Sequence, residues 1–350
     1  MEAFFKKLRL IFTDRELLGR IGFVIAALVA FRFLATIPVP GIDPSRLQEF
    51  FSNNQFLGLL NIFSGGGLSN LSIVMLGVAP YITASIIMQL ATIIFPALKS
   101  MYQEEGEAGR KKMSQYSRVL SVPLALIQGY AYLFLFESQG IVNHLSVTQL
   151  AMNVLIVAGG SMLLMWIGEL VTEFGVGNGV SLIIFAGIVA RVPQALAQQT
   201  FSFDVSQIPI YLGFLIAALA VIYGVVVMTE AERPVPVTYA KRVRGNKLYG
   251  GVSTYLPLRL NQAGVIPKNG AFIPGVRPGN QTSEHLGRII TRITMVGGLF
   301  LGAIAVLPLI MQSLTGITTL AIGGTALLIV VQVLLDLVRK VDAQISLKEY

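Results

Sequence analysis

His144 and His285 are the only imidazoles in 350 residues, and no cysteine accompanies them. They fall in separate predicted loops, so a histidine-based metal cluster has no scaffold. Disulfides, thiol catalysis and cysteine metal sites are excluded. Walker A, H-E-x-x-H and G-x-S-x-G motifs are absent, and no carboxylate pair lies inside an apolar stretch. No catalytic centre, metal or cofactor is therefore expected. Three other sets of residues do have a telling type and spacing. Ile82, Ile86 and Gln89 share one helix face at i, i+4 and i+7, which is either an isoleucine packing stripe or an apolar constriction. Phe56, Leu57, Leu59, Leu60, Ile62 and Phe63 form an apolar run too short to span a membrane, followed by the pliant Gly65-Gly66-Gly67. Lys241, Arg242, Arg244 and Lys247, with Tyr239 and Tyr249 beside them, either set membrane topology or dock an anionic partner such as RNA or an acidic protein.

The elements that carry these sets are membrane helices. The chain is 54% hydrophobic and only 13% charged, against about 25% charged in a soluble domain, and its mean hydropathy is +0.71. Several runs reach the ~20 apolar residues needed to cross a ~30 Å hydrocarbon layer. Hydropathy predicts spans at about 18–37, 71–95, 119–136, 150–170, 179–199, 208–228, 290–311 and 318–338. The net charge of +8 is informative through its distribution. Segments 1–20, 96–118, 229–292 and 336–350 hold 5, 5, 10 and 3 Lys/Arg, which is 23 of the 26 in the chain. These four segments lie on one side of the predicted topology, so both ends are expected in the cytoplasm. Arg32, Arg46 and Arg191 are the remainder; Arg32 can snorkel from the outer end of its span. The first apolar run lacks an A-x-A exit, so no cleavage is expected there.

Residues 1–17 alternate Phe4, Phe5, Leu8, Ile11 and Phe12 with Lys6, Lys7 and Arg9, the pattern of an amphipathic helix on the cytoplasmic membrane surface. The 55–67 stretch reads either as an interfacial helix or as a re-entrant one, since irregular backbone at membrane depth survives only inside protein or beside a water-filled cavity. Pro80 is expected to kink the second span. Residues 97–118 read as a solvated hydrophilic turn, and Gly175-Val176-Gly177-Asn178-Gly179 as a tight turn between antiparallel helices. Charged residues are nearly absent from the spans, which argues against a proton-coupled transporter. A small-molecule transporter would suit discontinuous helices, but no intramembrane ion-binding cluster is visible. The fold class is all-α: a polytopic helical membrane protein of about eight spans.

Several motifs then resemble one family in order along nearly the whole chain. They are Gly77-Val78-Ala79-Pro80-Tyr81-Ile82, the 104–112 stretch, Trp166-Ile167-Gly168-Glu169, Gly177-Asn178-Gly179-Val180-Ser181, Tyr239-Ala240-Lys241-Arg242, Ser253-Thr254-Tyr255-Leu256-Pro257-Leu258, Asn261-Gln262-Ala263-Gly264-Val265-Ile266-Pro267 and Pro274-Gly275-Val276-Arg277-Pro278-Gly279. Together they resemble the SecY family, pore subunits of the bacterial protein-translocation channel. The resemblance implies two pseudo-symmetric halves around a central pore: 18–199 with five spans and the plug-like segment 55–67, and 208–350 with the cytoplasmic loop 229–289 and three spans. It implies that Phe56 to Phe63 resemble the plug helix, and that Ile82, Ile86, Ile184 (or Ile183) and Ile329 resemble the apolar pore ring. Such a ring would close around a passing chain and resist ion leak by dewetting. Lys241, Arg242, Arg244, Lys247, Arg259 and Arg277 fall in loops that resemble those engaging the ribosome or the SecA motor ATPase. The implied partners also include the small membrane subunits SecE and SecG, the secretory polypeptide and lipid. The implied location is the bacterial inner membrane.

One departure stands out. The family has ten spans, and between Pro267 and Lys268 the body of the seventh helix, the whole eighth helix and their outer connection are missing. The seam reads as an unrecorded segment, an engineered deletion or a naturally shortened homologue. Because an even number of spans is gone, the flanking basic loops stay on one side. The expected function is a passive protein-conducting channel that also releases membrane helices sideways, driven by partners. The alternative is a reduced insertase, assembly factor or inactive paralogue without a complete lateral gate.

Overall fold

The computed structural model describes residues 13–40, 64–190 apart from 65, 66, 69, 141 and 143, a few positions at 192–197, 208–239, the short strands between 242 and 272, 287–304 apart from 290 and 293, 306, and 324–349. The chain divides into two compact units: Met1–Gln198 with Val333–Tyr350, and Gln199–Gln332.

The first unit holds α1 (Arg15–Leu34), α2 (Ala79–Ile94), α3 (Pro96–Glu104), α4 (Gly106–Ser138), α5 (Val147–Phe174) and α6 (Gly179–Val189). Asp14 caps α1 by accepting from the Glu16 N–H at 3.0 Å. Ser146 and Gln149 form a reciprocal capping box at the start of α5, which satisfies two otherwise orphan donors. The buried residues of α4 fall every fourth position from Gly109 through Met113, Ser117, Ser121, Ala125 and Gly129 to Leu133. Most are small, so the neighbouring backbones come close, as membrane helix pairs do without a hydrophobic drive between them.

Three expectations need correction here. Pro80 does not kink a span: it lies in the first turn of α2, where its missing N–H costs nothing. The span therefore begins at Ala79 rather than near 71, and Gly77, with φ 57°, turns the chain into it. The real break comes later, at Phe95-Pro96, where α2 and the helix that follows are bent by 112°. Nor is 97–118 an irregular turn. It is α3 and the first turns of α4, separated by Gly106 at φ 63°. Ion pairs Lys111–Glu107 and Lys112–Glu105 support that start.

The last helix, α9 (Gly324–Glu349), runs past its expected end near 338. Its Val333, Leu337, Val341 and Ile345 stand one turn apart. Val333 and Leu337 join a cluster with Val24, Ala27 and Leu28, and Val341 and Ile345 join one with Leu17, Ile21 and Val176. The apolar stripe continues to be buried, so the helix continues. By length and composition five described helices can cross a membrane, or six if the bent pair counts as one. The described part of α6 has 11 residues.

The second unit holds α7 (Ile208–Glu230), five strands, α8 (Gly287–Ile304) and the first turns of α9. The strands were not expected. β1 (Glu232–Tyr239) lies between β4 (Ser253–Arg259) and β5 (Ala271–Phe272), both antiparallel to it. Pro234 and Pro236 share the parity of Thr238, and β5 pairs only from Thr238 onward. Proline offers no donor to a ladder, so β1 has two positions at which its backbone cannot donate. β2 (Arg242–Arg244) and β3 (Lys247–Tyr249) form a separate antiparallel pair; in the sequence, Gly245-Asn246 between them is a two-residue turn signal. Eleven residues, 260–270, join β4 to β5. Those eleven residues, the seam among them, lie outside the described residues.

Candidate functional site

The isoleucine stripe of α2 rests on an irregular, buried support. The described residues between 64 and 78 are in no helix, yet Leu68, Leu71, Ser72, Val74, Met75, Leu76 and Val78 are all buried. Backbone polar groups at such depth must find partners inside the protein, and they do. The Val39 N–H donates to Leu71 O at 2.7 Å, and the Ile73 N–H to Ile37 O at 2.9 Å. The Ser161 hydroxyl of α5 donates to Gly77 O at 2.8 Å. Its neighbour Gly160 lies against the Ile73 carbonyl so closely that a Cβ there would come within 2.0 Å of the oxygen.

This support fixes the start of α2 and hence the stripe. Ile82 of α2 and Ile184 of α6 both pack against one cluster: Phe31, Ala35, Val74, Val78, Leu164 and Ile183. Ile183 is 2% exposed and belongs to that core, so of the two candidates Ile184 is the one left at its margin. Ile86, one turn beyond Ile82, is 50% exposed. In the second unit, Ile329 is half-buried on the first part of α9.

Ile86→Asn is expected to cost little stability, because the side chain is half in the open, and to raise ion conductance severalfold in planar bilayers by wetting the apolar stripe. Unchanged conductance would count against a sealing role.

The expected plug residues Phe56, Leu57, Leu59, Leu60, Ile62 and Phe63 lie outside the described residues, as do Lys241 and Arg277. Arg242, Arg244 and Lys247 do come together. The backbone register sets Arg244 opposite Lys247 and Arg242 opposite Tyr249. Like charges directly opposite weaken a hairpin by a few tenths of a kcal/mol up to about 1. The register thus gathers three cationic residues within one short hairpin. Arg259 ends β4 opposite Glu232.

Elsewhere, Arg118 of α4 and Glu169 of α5 form an ion pair that ties the two helices together at one end. Among the described residues no group of His, Asp and Glu could hold a metal ion. The strap at 64–78 and its Gly160-Ser161 cradle were missed by sequence reasoning. A Gly-Ser pair inside an apolar run was their only signal.

The SecY family model matches residues 72–268 and 268–338, so the match breaks at the seam. The protein translocase subunit SecY of Mycobacterium leprae is 34% identical over 443 aligned positions, covering 100% of this chain and 99% of that protein. That of Thermus thermophilus is 36% identical over 416 positions, covering 96% and 94%. Set against 350 residues, 443 positions leave 93 with no counterpart in this chain, enough for two spans of ~20 residues with their connections. Among solved structures, one described as a protein-conducting channel superposes with TM-score 0.61 at 17% identity, over 93% of this chain and 92% of that one. Sec61 in the canine ribosome-channel complex gives 0.58 at 16%, over 93% and 92%. Intact-mass spectrometry of the purified chain separates the readings of the seam: 37.8 kDa makes the eight-span form real, and a mass heavier by two spans and a loop removes the seam from the protein.

Proposed function

This chain belongs to the SecY family, and from that membership we propose that it is a protein-conducting channel subunit, passing unfolded secretory polypeptides across a membrane and releasing apolar helices sideways. The observation that carries this reading is the identity of about one third with protein translocase subunits SecY along the full chain. The chemistry agrees: a conduit needs an apolar lining and no reactive groups, and the energy comes from elsewhere. The protein is a multi-pass membrane protein. We place it in the bacterial inner membrane with both ends cytoplasmic, on the strength of the basic segments.

Ile82, Ile86, Ile184 and Ile329 serve as the apolar ring, and Phe56, Leu57, Leu59, Leu60, Ile62 and Phe63 as the plug. The basic residues Lys241, Arg242, Arg244, Lys247, Arg259 and Arg277 receive the ribosome or the SecA motor. SecE and SecG complete the assembly. In ten-span relatives a seventh helix lies against this flank, and in this chain that face is offered to lipid or a partner. Ile87, Leu90, Ile93 and Ile94 of α2 stand exposed.

The test is reconstitution with partner subunits, SecA, ATP and a secretory precursor. Precursor protected from added protease is the expected result. An assembled complex that inserts a membrane helix but protects no precursor would overturn the channel in favour of an insertase. Arg277→Glu is expected to lower SecA-driven translocation severalfold; an undiminished rate would remove Arg277 from the docking surface.

A further inference from the structure

We propose that the clip between residues 35–39 and 70–73 is a latch that must part each time a polypeptide passes. The inference rests on the channel reading above. The clip is small and local. Pro38 faces Ser72 in a single antiparallel bridge, flanked by the Val39–Leu71 and Ile73–Ile37 backbone bonds. The Asn70 side-chain amide reaches Ala35 O at 3.4 Å. It joins the exit of α1 to the strap that leads into α2.

Two costs are concentrated in it. Leu71 is the only described non-glycine residue with positive φ, at 43°, although it is wholly buried. Its neighbour Ser72 is also wholly buried, and its hydroxyl has no hydrogen-bond partner among the described residues. A left-handed leucine and an unpaired buried hydroxyl each penalise the clipped form alone. A purely structural bridge has no use for either, and strain held in place by its surroundings is characteristic of switch segments. Both costs are relieved when the clip opens.

The clip is also connected to the stripe. Ile73, Val74 and Val78, the next residues along the strap, belong to the cluster that seats Ile82 and Ile184, as do Leu34 and Ala35 on the other side of the clip. Parting the clip therefore loosens the seat of the stripe from both sides.

The chain has no cysteine of its own, so Pro38→Cys with Ser72→Cys introduces a single pair. Residues facing each other across an antiparallel bridge lie ~4.5–5.5 Å apart at Cα, within disulfide range. The experiment uses the full chain with its partner subunits in proteoliposomes. Oxidation is expected to cut precursor translocation at least ~10-fold, by the tenfold-per-1.4 kcal/mol scale of a lost open population, and reduction to restore it. Each single-cysteine chain should ignore oxidation. A double variant with its disulfide formed that translocates at the reduced rate overturns the latch. If the unsubstituted chain translocates nothing, the channel reading fails instead. If only the reduced double variant is inactive, Ser72→Ala decides. Removing the unpaired hydroxyl stabilises the clipped form, so channel openings in planar bilayers should become severalfold rarer; an unchanged frequency overturns the latch.

Discussion

Gly160→Val is expected to prevent the first unit from folding, while Gly159→Val, one residue away, is expected to be tolerated. A Cβ at 160 would stand 2.0 Å from Ile73 O and 2.8 Å from its carbonyl carbon, whereas at 159 it would meet nothing within 4 Å. The obstacle at 160 is backbone and has little room to yield. Ile73 is bonded to Ile37 O, and Ser161 holds Gly77 O just beyond. Overpacking a core usually costs 1–3 kcal/mol; with the strap displaced as well, about 3 kcal/mol or more is expected. The two variants share the same small helix-propensity change, so their difference isolates the contact. Fluorescence-detected size exclusion with a thermal ramp reads it. Equal midpoints for the two variants would mean that the α5–strap contact is not as close as described.

Reversing three charges, Arg242→Glu with Arg244→Glu and Lys247→Glu, is expected to reduce motor-driven translocation at least ~10-fold and to flatten the salt dependence of ribosome co-sedimentation. Each cation that neutralises a phosphate contributes close to one unit to the slope of log affinity against log salt. The variant is matched in fold. Arg244 opposite Lys247 is a like-charge pair, and two glutamates there repel to the same degree, so the stability of the hairpin barely changes while its field inverts. Retained co-sedimentation and translocation at 150 mM salt, about one Debye length of 8 Å, would move the docking surface elsewhere in the chain.

The hairpin also marks where sequence reasoning stopped short. Lys241, Arg242, Arg244 and Lys247 were identifiable as a basic cluster because charge is a property of each residue. That three of them fall on two paired strands follows from the register of β2 and β3; the Gly245-Asn246 turn signal was present in the sequence but passed over within a stretch treated as a loop. The isoleucine stripe was legible for the same reason as the spans: helical period acts over a few residues. The choice between Ile183 and Ile184 was not, because both sit in one apolar run and only packing against Phe31 and Leu164 consumes the first.

Sequence alone determined the class, the approximate places of the membrane helices and the seam, and it supplied the charge asymmetry on which the orientation is proposed. Hydropathy, charge asymmetry and motif order are one-dimensional, and a bilayer reads them segment by segment. The tertiary structure decided that 64–78 is a buried strap and not the first turns of a span. It also decided that α9 runs on to pack beside α1, and that Gly160 and Ser161 matter where Gly159 does not. Those outcomes depend on which backbone atom lies against which residue more than eighty positions away. Close packing makes that decision at distances of 2–4 Å, which no pattern local to the chain encodes.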